Sequence, residues 1–399
     1  MIVQNRKFCL SVLIIILLSG KLFSQTGKDT TIILITDLTT QIEATDALND
    51  MYNFKFDKAE REMKVLRKKY GWHPLPYFLL GLNEWWKMMP NMKSNLHDER
   101  FFNYMDSSIL IANNLYTKYP EYKIEAAFFL AAAYAFKGEL YGDEDRKNWR
   151  KAAAAAKEAL SYLEICKQKN YLSPELLFGD ALYNYFSVWI QENYWWSKAL
   201  FLVFRKGDKQ LGLKQLKEVS YNAFYTRTEA MYWLMRISTS FENDQSRAFQ
   251  LADYLHQTYP DNPLFHRYYA RMLYYRGMYP ELEREGKVIL GRIDSAKVGY
   301  EGLTGRNAAF FLGQVYTSRR NWAEAKKYYL LSVKYAEDND ATDSGYYFYA
   351  LIELGDIALK QGNEAEAKRY FKEVKNKAGR KEDTYKDAKK RLKNLEKAD

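Results

Sequence analysis

The chain has 399 residues, 47% of them hydrophobic and 16% aromatic, with 34 tyrosines, 8 prolines and a net charge of +10. That apolar content excludes a disordered chain, and so few prolines argue against a loop-rich or all-β fold. One globular core rarely reaches this length, which leaves two or three domains or one extended repeat array.

Residues 1–24 read as a secretory signal. Arg6 and Lys7 precede an apolar run from Phe8 to Leu18, broken only by Ser11. A polar stretch with small residues, Ser19 to Gln25, follows, with cleavage expected at Ser24–Gln25. The run is too short for the roughly 20 residues a spanning helix needs, the alternative being an uncleaved signal anchor. No second run of spanning length occurs, so the mature chain is expected to be periplasmic or secreted and not transmembrane. Cys9 lies inside the apolar run, not after a small-residue cleavage site, so it cannot carry a lipid anchor and no lipoprotein is expected. Cys166 is then alone, with no disulfide partner, and is expected to be buried and inert.

Removing residues 1–24 deletes Arg6, Lys7 and Lys21 and leaves a charge of about +7 (10 − 3). Residues 360–399 hold 14 Lys/Arg against 8 Asp/Glu, a net +6. The excess charge therefore belongs to one end of the chain, and no nucleic-acid partner is expected.

After a lead-in over 25–44, the spacing predicts helix pairs. The first runs from Asp46 to Asn53, turns at Phe54–Phe56 and returns through Ala59, Met63 and Leu66. Leu80–Gly81 mark a second pair, broken at Pro90, whose return helix spans Asp98 to Tyr119. A third begins over Ala126 to Phe136 with Gly138, and its return helix carries the alanine run Ala152–Ala156, read as a packing seam. A fourth opens at Pro174, passes Gly179, Tyr183 and Ile190, and returns over Asp208 to Asn222. The segment from Tyr194 through Trp195–Trp196 to Phe204 reads as an inserted helix tucked against the array or, if exposed, a partner contact. Thr228 to Phe241 with Gln245 to Tyr259, then Pro263 to Gly277 with Pro280 to Leu290, form the fifth and sixth pairs.

The clearest repeat lies in residues 291–377. Leu312–Gly313 is followed by Tyr316, Ala325 and Tyr329. Forty-two residues on, Leu354–Gly355 is followed by Ala367 and Phe371. In each copy a small residue comes twelve after the glycine and an aromatic four later. The glycine and alanine let the paired helices approach, and the aromatics are expected to close the gap to the next repeat. Asn321 and Asn363 are expected helix N-caps. The basic segment 378–399 puts Tyr385, Ala388, Leu392 and Leu395 on one face and is expected to cap the array, an acidic-partner or anionic-membrane contact being the alternative.

This pattern resembles the tetratricopeptide repeat, closely over 307–377 and loosely over 45–290, where Asp50 and Glu84 stand in place of the usual apolar residues. The resemblance implies an all-α, right-handed superhelical solenoid of about eight antiparallel helix pairs with a C-terminal capping helix. It also implies that first helices line a concave groove. Placing the glycines in register puts Phe78, Trp85, Trp86, Tyr183, Trp233, Arg267, Arg271, Tyr274 and Gln314 on that face. Each aromatic there could instead be core between repeats; Arg267 and Arg271, one turn apart, could clamp a carboxylate or pair with a neighbouring acid.

Catalytic patterns are missing. His73, His97, His256 and His266 show no metal-ligand spacing and read as surface or cap residues. Neither Gly27–Lys28 nor Gly286–Lys287 makes a phosphate loop, and there is no nucleophile elbow. No metal, cofactor or enzyme activity is expected. The leading expectation is an exported scaffold or adaptor that binds a protein or peptide in the cell envelope. A glycan-binding helical-repeat protein of the outer membrane, using surface tryptophans, is the alternative.

Overall fold

The computed structural model describes residues 34–194, 205–343 and 345–396. The signal-like segment 1–24 and the Trp195–Trp196 insertion lie outside the described residues. The described chain forms seventeen α-helices and no strand. No helix among the described residues is long and apolar enough to cross a membrane.

Contacts divide the chain into two compact units, one ending at Leu251 and the other starting at Ala252. In the first, α1 (Leu38–Tyr52), α2 (Phe56–Tyr70), α3 (Leu75–Met88), α4 (Asp98–Lys118) and α5 (Lys123–Tyr141) succeed one another. They are followed by α6 (Trp149–Lys167), α7 (Leu177–Asn193), α8 (Lys209–Asn222) and α9 (Arg227–Ser240). The division falls within α10 (Gln245–Thr258). The second unit continues with α11 (Pro263–Tyr275), α12 (Tyr279–Asp294), α13 (Gly302–Ser318) and α14 (Trp322–Glu337). It ends with α15 (Gly345–Lys360), α16 (Glu364–Lys377) and α17 (Asp383–Leu395).

From α1 to α9 and again from α11 to α17, each helix packs on the next. Odd-numbered helices also touch: α1 on α3, α3 on α5, α11 on α13, α13 on α15 and α15 on α17. In residues 252–396 short connections join α11 to α15 in turn, an arrangement in which consecutive helices reverse and α11, α13 and α15 share one direction. Sequence explains the two roles. The α3 segment LPYFLLGLNEWWKM buries almost every side chain, because an inner helix meets neighbours on several sides. The α2 segment FDKAEREMKVLRKKY buries only Phe56, Ala59, Met63 and Leu66, a single stripe at helical spacing. α15 and α16 repeat the contrast.

Local interlocks fix the pairs. A Cβ on Gly313 would overlap the Tyr329 ring, and one on Gly355 would overlap the Phe371 ring. Leu312, Ala325, Tyr329, Leu354, Ala367 and Phe371 are all fully buried. The aromatic therefore seats on the glycine of its own pair, a correction to the expectation that it bridges to the next one. Tyr316 is half-buried and stacks on Tyr328 at 5.4 Å. Gly138 meets the alanine seam, where an added methyl would sit 3.6 Å from Ala155 Cβ. Asn321 and Asn363 accept from Glu324 N (3.3 Å) and Glu366 N (3.1 Å), capping α14 and α16.

Candidate functional site

The expected groove residues fall into two places. Phe78, Trp85 and Trp86 are buried at 8, 4 and 0% exposure, so none lies on an open surface. The cause is α9. Its Tyr232 packs on Trp86 at 5.8 Å, and its Glu229 accepts hydrogen bonds from Trp86 Nε1 (2.8 Å) and Tyr52 Oη (3.2 Å). Residues 143 and 177 positions apart thus meet on one carboxylate.

α9 itself is positioned by a distant acid. Glu175, 2% exposed, accepts from the backbone amides of Phe224 (2.5 Å), Tyr225 (3.0 Å) and Thr226 (2.9 Å), and from Thr226 Oγ1 (2.6 Å). A carboxylate at unsatisfied N–H groups suits the positive end of the helix dipole.

α9 also closes one wall of a cavity of about 330 Å³ within residues 34–251. Phe78, Trp85, Ala132, Phe136, Leu163 and Trp233 are among its apolar lining, and Tyr183 lines it too. The Tyr183 hydroxyl donates to Arg205 O (2.7 Å) while the Arg205 guanidinium stacks 4.0 Å above its ring. Cys166 is 1% exposed and lines the same chamber; burial pushes its thiol up to about 12, which makes it a poor nucleophile.

Among the described residues, the charged groups lining the cavity are Glu139, Glu229 and Arg236. Ala132, Phe136 and Glu139 follow one stripe of α5; Glu229, Tyr232, Trp233 and Arg236 follow one stripe of α9. Burial pushes Glu139 up to about 7, with Arg236 opposing the shift and Glu229 adding to it. Glu139 is half-buried and lines the cavity. Burial likewise pushes Glu229 up to about 7, against its bonds from Trp86 and Tyr52. Sequence reasoning missed both acids. The signal for Glu139 was an acid in line with the apolar stripe of AAAYAFKGELY; for Glu229, whose partners lie far along the chain, there was none.

The second place lies within residues 252–396. Arg267, Arg271 and Tyr274 on α11, and Gln314 on α13, are half-buried. Arg306 on α13, 4% exposed, joins them, and burial followed by the Arg267 charge pulls its guanidinium down to about 10. Tyr346 on α15, Tyr268 and Tyr275 surround Arg271, whose guanidinium lies 5.3 Å from the Tyr268 ring centroid. No hydrogen-bond partner reaches Arg271 Nε among the described residues. Further along the same helices, Gln314 donates to Glu353 Oε1 at 3.0 Å. The face is thus basic near the N-terminal ends of α11 and α13 and becomes mixed toward their C-terminal ends.

The histidines also differ from expectation: His73 and His266 are fully buried. His256 and His266 stack at 4.4 Å and share Glu285 Oε2, at 3.7 and 3.0 Å. These three groups have metal-ligand chemistry and lie close together. Tyr300 Oη holds His266 Nδ1 at 3.0 Å, and burial drives His266 down to about 4. Two imidazoles solvating one buried carboxylate describe the cluster.

Among the described tryptophans, Trp72 is the one more than a third exposed. No protein-family model matches the chain, and no curated protein matches it.

Proposed function

We propose that the protein is an exported scaffold of the tetratricopeptide type, a right-handed solenoid of about eight helix pairs with a basic capping helix. In this reading it holds a protein or peptide partner in the cell envelope, docking an acidic segment of that partner on the odd-numbered helices of residues 252–396. Sequential helix packing and the glycine–aromatic interlocks support the architecture. The observation that carries the docking reading is the grouping of Arg267, Arg271 and Arg306 on two adjacent inner helices. Guanidinium groups bind carboxylates through paired, charge-assisted hydrogen bonds, and the flanking tyrosines supply rigid contact area. The N-terminal ends of parallel helices add positive potential to the same end of the face.

Fluorescence anisotropy with labelled decapeptides tests this. An acidic peptide with a free C-terminus should bind the full chain, and a lysine-rich one should not. Losing charge-assisted bonds worth roughly 1.5–3 kcal/mol each, the Arg267→Ala/Arg271→Ala double variant should weaken binding at least about tenfold. Equal binding of both peptides, or a double variant that binds like the parent, would overturn the reading.

A further inference from the structure

The cavity of residues 34–251 is independent of the peptide-docking face and points to a small molecule. Its volume falls within the roughly 300–1,000 Å³ of small-molecule sites, and its walls are mainly leucine, phenylalanine and alanine. Such walls alone would form a plain apolar chamber. The two acids need a reason, because burying a carboxylate without a partner is costly.

Neither acid is fully engaged. Glu139 accepts no hydrogen bond among the described residues, and its electrostatic neighbours are Arg236, Glu229 and Asp143. Asp143 is itself held by Arg146 at 3.0 Å. Glu229 commits Oε1 to Trp86 and Tyr52, while Oε2 accepts no hydrogen bond among the described residues. With both ionised, two negative charges and the positive charge of Arg236 line the cavity among the described residues. One positive charge on an occupant balances that set. An anionic head would add a third negative charge, and a neutral head would leave one of the two acids protonated, so that only a cationic head gains from both carboxylates.

We propose that the cavity binds a small amphipathic cation, an apolar body with one ammonium-type head held by Glu139 and by Oε2 of Glu229. At the ~30 Å³ taken by a water-sized group, the space suits an occupant on the order of ten non-hydrogen atoms. Both acids titrate near neutrality, so an entering cation draws them into the charged form and gains two ion pairs.

Intrinsic tryptophan emission reads binding directly, since Trp85 and Trp233 line the cavity. The full-length chain is titrated with decylammonium, decanol and decanoate, each below its micelle concentration. Decylammonium should bind at least tenfold more tightly than decanol, with decanoate weakest. Glu139→Gln, which keeps shape and removes charge, should bring decylammonium to the level of decanol and leave decanol unchanged. Ala132→Phe, which fills the chamber, should abolish both. If no decyl compound binds, if decanoate or decanol equals decylammonium, or if Glu139→Gln leaves the preference intact, the proposal fails.

Discussion

Glu229→Gln should make the protein more stable, increasingly so as pH rises from about 4.5 to about 7. The carboxyl titrates near its ordinary 4.5 in the unfolded chain and at about 7 in the fold, because burial disfavours its charge. The native state therefore binds the extra proton between those two values. Below about 4.5 both states are protonated and the shift costs nothing. Stability then falls as pH rises through that window, and above about 7 the full penalty applies. An interval of that size corresponds to about 3 kcal/mol. Glutamine keeps an oxygen for Trp86 Nε1 and Tyr52 Oη without a charge to bury. The variant should thus gain about 3 kcal/mol at pH 8, or about 6–12 °C in melting temperature for a unit of this size, and under about 1 kcal/mol at pH 5. Urea unfolding followed by tryptophan emission measures it, because eight of the nine tryptophans precede residue 252. A loss of stability at pH 8, or the same gain at pH 5, would refute the buried-charge account.

Glu175→Ala should behave in the opposite way, destabilising the same transition by about 3–4 kcal/mol at pH 8, since four hydrogen bonds converge on that carboxylate at the start of α9. Gly355→Ala should cost about 1–3 kcal/mol by driving a methyl into the Phe371 ring, seen as faster amide exchange in α15 and α16. Combining it with Phe371→Leu should cost less than the sum of the two single changes, because both act on one contact.

Helix existence was legible along most of the described chain because its causes are local, although α1 starts at Leu38, inside the expected lead-in. Prolines 174, 263 and 280 stand at or next to helix starts, asparagines cap α14 and α16, and apolar stripes at helical spacing mark the outer helices. Of the expected groove residues, Arg267, Arg271, Tyr274 and Gln314 are half-buried on odd-numbered helices. Exposure of Phe78, Trp85 and Trp86 was not legible, since it depends on where α5 and α9 come to rest. Glu229 reaches Trp86 from 143 positions along the chain, so no residue near Trp86 encodes that contact. Met105 illustrates a smaller loss. It seats on Gly81 where the later pairs use an aromatic, so the interlock exists without its recognisable residue.

Asp50 and Glu84 were visible in the sequence as departures from the repeat pattern, and the fold sets them apart from Glu139 and Glu229, which were not. Asp50, 6% exposed, is met by Lys58 at 2.7 Å and Lys55 at 3.7 Å. Glu84, fully buried, is met by Lys87 at 2.8 Å, His97 at 3.0 Å and Arg100 at 3.2 Å. Those carboxylates are compensated by their own neighbours, so truncating a partner would strand a buried charge. Glu139 has no hydrogen-bond partner among the described residues and Glu229 has one oxygen engaged, yet both line an apolar chamber. A fold selected for stability alone gains by replacing them with glutamine or leucine, as the pH dependence of Glu229→Gln would measure. Retaining a destabilising charge against apolar walls is the pattern expected where an occupant, and not the chain, supplies the counter-charge.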